Sequence, residues 1–319
     1  MPVASSRIAV SDLLPASVTV EQGALRISLP AAGDSVQWYQ VCGAALYCEA
    51  AGMVGPKPAF QIPFSVKVQR PADFASATLA GGDTVHLALA HAWGFDVLRP
   101  AGAATPGSLS AQLVIGADTL RAVITGTTTP WPSGTTLDVP FVIPVGATLT
   151  ADMALDVVVD SPAGDVVTNV GPTRFMSAVA RVGSVGVTSI SAPAPTSPLA
   201  SRDVVLDLSR FDSDIATKAR SAELTLAITN PLHVAGQLSL AFAGSQGALI
   251  PPKSVDVSQG SSLRKLTLTR SELDQLLGQR VSLSLTGQVT ATHPSGLVTF
   301  RPTDDISIDG QLALTVVLP

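Results

Sequence analysis

Apolar residues recur at every second position along much of this chain. Thr84-Val85-His86-Leu87-Ala88-Leu89, Ser282-Leu283-Ser284-Leu285 and Asp305-Ile306-Ser307-Ile308 all alternate in this way. Successive side chains of an extended strand point to opposite faces, so the pattern predicts strands buried on one side only. The 26 Gly and 24 Pro fall between such runs about as often as antiparallel sandwiches turn. Glu and Lys, two of the best formers of exposed helix, number only 4 and 5 against 20 Asp and 14 Arg. The reading is all-β: tandem immunoglobulin-like antiparallel β-sandwich domains with one or two short helices. One helix is expected after Thr269-Arg270-Ser271-Glu272, which has capping-box spacing, with Leu273, Leu276 and Leu277 as its apolar stripe and Gly278 as its stop. Phe211 to Arg220 is the second, capped by Asp212 or Ser213 and carrying Lys218 and Arg220 near its carbonyl end.

At 319 residues the chain exceeds what one compact core usually serves. Its clearest seam is Ser189 to Ser201, where Pro193, Pro195 and Pro198 among small residues interrupt every periodicity. The expected order is an N-terminal β unit over 1–72 holding both cysteines, a sandwich over 73–188, a linker over 189–201 and a second sandwich over 202–319. The two sides of the seam repeat each other. Leu87-Ala88-Leu89-Ala90-His91 followed by Gly107-Ser108-Leu109-Ser110 resembles Leu226-Ala227-Ile228-Thr229-Asn230 followed by Gly236-Gln237-Leu238-Ser239. Further on, Ser161-Pro162-Ala163-Gly164 resembles His293-Pro294-Ser295-Gly296, in the same order, so a duplicated sandwich is expected.

Charged residues make up 13 %, about half the usual share, which implies an unusually neutral surface. A net charge of −5 and a pI near 5.3 offer no field for polyphosphate and argue against nucleic acid as a partner. Mean hydropathy is high at +0.40. Yet the most apolar stretches, Val139 to Val145 and Met153 to Val159, are strand-length, and no transmembrane segment is expected. Met1 to Arg7 shows no basic segment followed by an apolar one, so no signal peptide is visible at this end. Cys42 and Cys48 are spaced to close a hairpin loop. A disulfide there implies an oxidising compartment; two free thiols or half of a metal site are the competing readings.

No glycine-rich phosphate loop, Gly-x-Ser-x-Gly elbow or His-Glu-x-x-His helix occurs, which argues against nucleotide chemistry and the common hydrolases. His86 and His91 are five apart and face opposite sides of a strand; His233 and His293 sit near turn prolines. None is expected to be catalytic. Asp160, Asp165, Asp304 and Asp305 suit turn capping better than a calcium site, so no cofactor and no metal are expected. Five of the 14 aromatics lie in or beside turns. Trp38 and Phe95 are expected to plug sandwich ends, while Trp131, between Pro130 and Pro132, is the preferred interface anchor, with Trp93 and Phe95 as further candidates.

His91-Ala92-Trp93-Gly94-Phe95-Asp96-Val97-Leu98-Arg99-Pro100, Asp160-Ser161-Pro162-Ala163-Gly164-Asp165 and Ile228-Thr229-Asn230-Pro231-Leu232 carry a resemblance that spans the chain. It resembles the tandem β-sandwich proteins that serve as membrane-extrinsic subunits, including those that hold a bacterial photosynthetic reaction centre within its light-harvesting ring. The resemblance implies a non-enzymatic scaffold with protein subunits of a membrane complex as partners and peripheral membrane association. The periplasmic face is favoured slightly over the cytoplasmic one. The alternative is an extracytoplasmic glycan- or peptide-binding module using loop aromatics.

Overall fold

The computed structural model describes residues 2–43, 48, 55–167, 170–195, 199–200, 204–209, 211 and 217–317. The first strands are β1 (Pro2–Ile8), β2 (Val18–Glu21), β3 (Ala24–Leu29) and β4 (Ala32–Gln37), followed by helix α1 (Trp38–Cys42). Then come β5 (Gly55–Lys57), β6 (Phe60–Val68), β7 (Ser76–Leu79), β8 (Thr84–His91), β9 (Ser108–Ile115), β10 (Asp118–Thr125) and β11 (Thr136–Val142). Next are β12 (Thr148–Leu149), β13 (Met153–Ser161), β14 (Gly164–Val167), β15 (Phe175–Arg181), β16 (Gly183–Pro193), β17 (Leu199–Ala200) and β18 (Val204–Asp207). The chain ends with β19 (Ala219–Asn230), β20 (Val234–Gly244), β21 (Gly247–Val257), β22 (Gly260–Leu268), helix α2 (Arg270–Leu276), β23 (Arg280–Ala291), β24 (Leu297–Phe300) and β25 (Ile306–Val316). The protein is all-β, and alternation is the reason. In β6, Phe60, Ile62, Phe64, Val66 and Val68 face inward while their neighbours are exposed. Each such side chain contributes about 1.5–3 kcal/mol by leaving water.

Two compact units emerge, and one is inserted in the other. Met1–Leu25, Asp73–Ala75 and Ser189–Pro319 form the terminal unit; Arg26–Ala72 and Ser76–Thr188 form the inserted unit. The inserted unit contains the sheets β4-β15-β8-β11 and β6-β13-β9-β10. The terminal unit contains β1-β25-β19-β22 and a second sheet in which β23, β20 and β21 follow one another, with β17 and β18 both paired to β23. Numbered in chain order within each unit, both sandwiches have sheet orders 1-8-3-6 and 2-7-4-5. That is the double Greek key of a jelly roll. It refines the expected immunoglobulin-like arrangement, which has seven strands in another order.

The correspondence extends to the minor strands. In the inserted unit β5 follows the first strand and pairs with β14, which follows the seventh; in the terminal unit Ile190–Pro193 of β16 pair with β24 in the same places. The sequence landmarks that repeat therefore lie on corresponding strands, β8 with β19 and β9 with β20. Three boundaries differ from expectation. Arg26–Ala72 supply β4 and β6 to the same unit as Ser76–Thr188, so no domain boundary falls between 72 and 73. The first 25 residues do not belong to a separate N-terminal unit, because β1 hydrogen-bonds to β25 in register Ile8↔Ile306 through Ser5↔Asp309. Nor is 189–193 a linker, since its backbone groups are used in the β16–β24 ladder despite the prolines that follow.

Helix α2 forms where the capping box places it: Thr269 N–H donates to Glu272 and the Glu272 amide donates to Thr269 Oγ1. Lys253 pairs with Glu272 and contributes most to holding its carboxylate below the usual range. Half of the expected helix over 211–220, residues 212–216, lies outside the described residues; Thr217 and Lys218 are helical, and Ala219 and Arg220 already belong to β19.

Candidate functional site

One end of the inserted unit gathers most of its large aromatic side chains. Trp38 opens α1 directly after edge strand β4, with Gln37 as N-cap and Gln40 closing a capping box. Trp93 and Phe95 follow β8, Trp131 precedes β11 and Phe60 opens β6. Ring centroids of Trp38 lie 5.2 Å from Trp93, 5.4 Å from Phe95 and 6.3 Å from Phe60. Phe60 and Trp93 meet edge to face at 5.5 Å. Such pairs contribute about 0.5–1.5 kcal/mol beyond the area they bury. The Arg174 carbonyl accepts from both the Trp38 amide and Trp93 Nε1, which ties the cluster to the chain just before β15.

Lys57 stands inside this cluster and is 2 % exposed. Its Nζ donates to the carbonyl oxygens of Pro58 and Pro162 and lies 4.3 Å from the centre of the Phe60 ring. Burial pushes its pKa down to about 8, opposed by the charge of Asp160. The ammonium thus fastens the turn after β13 to β5 while the rings cover it. Cys42 and Cys48 are disulfide-bonded, with Cα atoms 5.5 Å apart, and the bridge closes the segment that leaves α1.

His91 completes the base. The Trp93 amide donates to Nδ1, so Nε2 carries the proton and donates to the Trp131 carbonyl at 3.0 Å. Burial pushes this imidazole below its usual value, and the Trp131 bond opposes the shift. Asn230 ends β19 as His91 ends β8. Its Oδ1 likewise accepts from the amide two residues on, Leu232, and its Nδ2 donates to Val234 and Ser258 carbonyls. His91 is therefore the inserted unit's version of a strand-end clamp.

The preferred interface residues turn out to be walls. Trp131 is 1 % exposed and Trp93 is fully buried, so neither presents a surface. Trp131 bonds through Nε1 to the Thr135 carbonyl, and Phe95 is half-buried against Trp38 and Lys57. Among the described residues, the exposed aromatics at this end are Tyr39 and Phe175, at 46 % and 53 %. Phe175 lies opposite Gln37 across the β4–β15 ladder, and the Tyr39 amide donates to the Pro172 carbonyl. Tyr39 was visible beside Trp38. Phe175 was legible too, since alternation places it opposite to Met176, Ala178 and Ala180.

Several acids have structural partners. Asp305 accepts from the Val10 amide, Asp304 from Arg301, Asp73 from Ser17, and Asp83 from Gly186. Among the described residues, no three His, Cys, Asp or Glu side chains converge as metal ligands, and no helix is long and apolar enough to cross a membrane.

No family model and no curated protein matches the chain. Solved structures align along most of its length but weakly. A Parabacteroides distasonis protein described as secreted shares 14 % identity, with 97 % of this chain and 98 % of that one covered and a TM-score of 0.31. The tandem CBM22 domains of Paenibacillus barcinonensis Xyn10C share 8 %, covering 83 % and 99 %, at 0.19. The VP2 subviral particle of infectious bursal disease virus shares 10 %, covering 93 % and 79 %, at 0.23. At these scores none of them lends the chain a role.

Proposed function

We propose that this chain is a non-catalytic recognition protein of an oxidising, extracytoplasmic compartment, docking through the end of its inserted unit. The observation that carries the reading is an exposed rim, Tyr39 and Phe175, standing on a base locked by Trp38, Trp93, His91 and Lys57. Aromatic side chains held in place before contact lose little freedom on binding and commonly dominate interface energies. The disulfide supports the compartment, because thiols stay reduced in most cytosols.

A protein surface is the favoured partner. Both rim residues are exposed, and the sparse charge suits a surface that is covered in its working state. In this reading the chain is an extrinsic subunit of a membrane assembly, the photosynthetic complex of the resemblance being the specific candidate. Affinity purification from native membranes tests it: the wild-type chain is expected to bring down integral subunits, and a Tyr39→Ser/Phe175→Ser variant to lose them. Recovery of the wild-type chain as a free monomer overturns it.

The second reading is glycan or peptide recognition. It is favoured by Gln40 and Arg174, exposed beside the two rings, because sugar sites combine a stacking face with hydrogen-bonding groups. Binding on a glycan array that disappears with Tyr39→Ala selects this alternative.

A further inference from the structure

We propose that β1 is an exchangeable strand, so that a second copy of this chain can supply the first strand of the terminal sandwich. The inserted unit takes its own first strand, β4, from residues immediately before the rest of its fold. The terminal unit instead takes β1 from far upstream, with the inserted unit lying in sequence between β1 and β17, the second strand of the same sandwich. The site β1 fills is a strand edge present in every copy. It consists of the β25 edge over Ile306 to Gln311 and the Asp305 carboxylate, which accepts from the Val10 amide and pairs with Arg7.

The donor segment is self-contained. Among its described side chains Ile8, Val10 and Leu13 are buried, and a strand from another copy brings the same three residues to the same places. Exchange therefore recreates every contact, leaving hinge strain and effective concentration to set the monomer–dimer balance. Order of synthesis favours exchange as well. At about 5–20 residues per second, β1 waits on the order of tens of seconds for β25 to be made, with its ladder groups unpaired. Its seat is also incompletely filled: Ser6 lines a void of ≈ 20 Å³ with Leu224, Leu226, Leu240, Leu285 and Ile308.

The test uses full chains. Ser5 and Asp309 are opposite each other in the ladder and both are exposed. One chain carrying Ser5→Cys and another carrying Asp309→Cys are unfolded together with the native disulfide intact, refolded at high concentration and oxidised. Covalent heterodimers joined through positions 5 and 309 are expected by peptide mapping, in a proportion that rises with protein concentration. The double variant Ser5→Cys/Asp309→Cys, refolded dilute, should cross-link within the monomer, which establishes that the pair can bond. Efficient cross-linking in that monomer with no mapped 5–309 heterodimer in the mixture overturns the proposal.

Discussion

His91 and Asn230 clamp corresponding strand ends with different chemistry, and only one of them titrates. Replacing His91 by Leu leaves the Trp93 amide buried without its acceptor, while the Trp131 carbonyl keeps the Val97 amide, which should cost about 1–2 kcal/mol in urea unfolding. His91→Asn should cost less than half of that, since the carboxamide can still accept from Trp93. The imidazole also fixes a pH dependence. Its folded pKa lies below the ordinary 6.5, so the unfolded chain takes up the proton first. Stability should be full above pH 6.5 and fall as acid drives the pH toward the folded value, with that slope absent from His91→Asn. Lys57 acts in the alkaline range. Its folded pKa is about 8 against an ordinary 10.5, so stability should rise with pH between those values in the wild type. Lys57→Met should flatten that rise, as read from denaturation midpoints across the range.

At the level of elements, α1 is five residues long and owes its place to the groups around it. Cys42→Ser/Cys48→Ser should lower the unfolding free energy by roughly 2 kcal/mol, less than a long-loop bridge contributes, and loosen Trp38 as seen in its fluorescence. Asp305→Ala removes the acceptor for Val10 and the partner of Arg7, and should speed amide exchange along residues 2–8 at least tenfold while leaving β13 unchanged. Strands of this chain are legible in sequence because alternation is a local signal, and α2 because its capping box is. The aromatic site is not. Trp131 sits between two prolines, as an exposed loop residue would, and its burial depends on His91 arriving from a stretch of chain 40 residues away. Lys57 gives no local sign that Phe60 and Pro162 will enclose it.

At the scale of the molecule, the repeated landmarks fall on corresponding strands of two units with one strand order, whereas the insertion of one unit in the other left no local mark. A strand's partner is set by pairing geometry over a distance that local periodicity does not encode, and β1 and β25 are nearly the whole chain apart. The antiparallel β1–β25 ladder makes a further expectation concrete. Residues 1–14 moved to follow Pro319 through a short glycine-rich turn should form a hairpin with β25. The permuted chain should show the wild-type circular dichroism spectrum and remain monomeric at concentrations where the parent exchanges strands.

Because β1 and β25 pair in one sheet on either side of the inserted unit in sequence, a protease that cuts once inside the inserted sandwich does not release a free half. The two pieces remain stitched by the β1–β25 seam, so a nicked molecule should elute at its intact size and separate only when denatured. That seam confers a tolerance of nicking that a simple string of two sandwiches would lack.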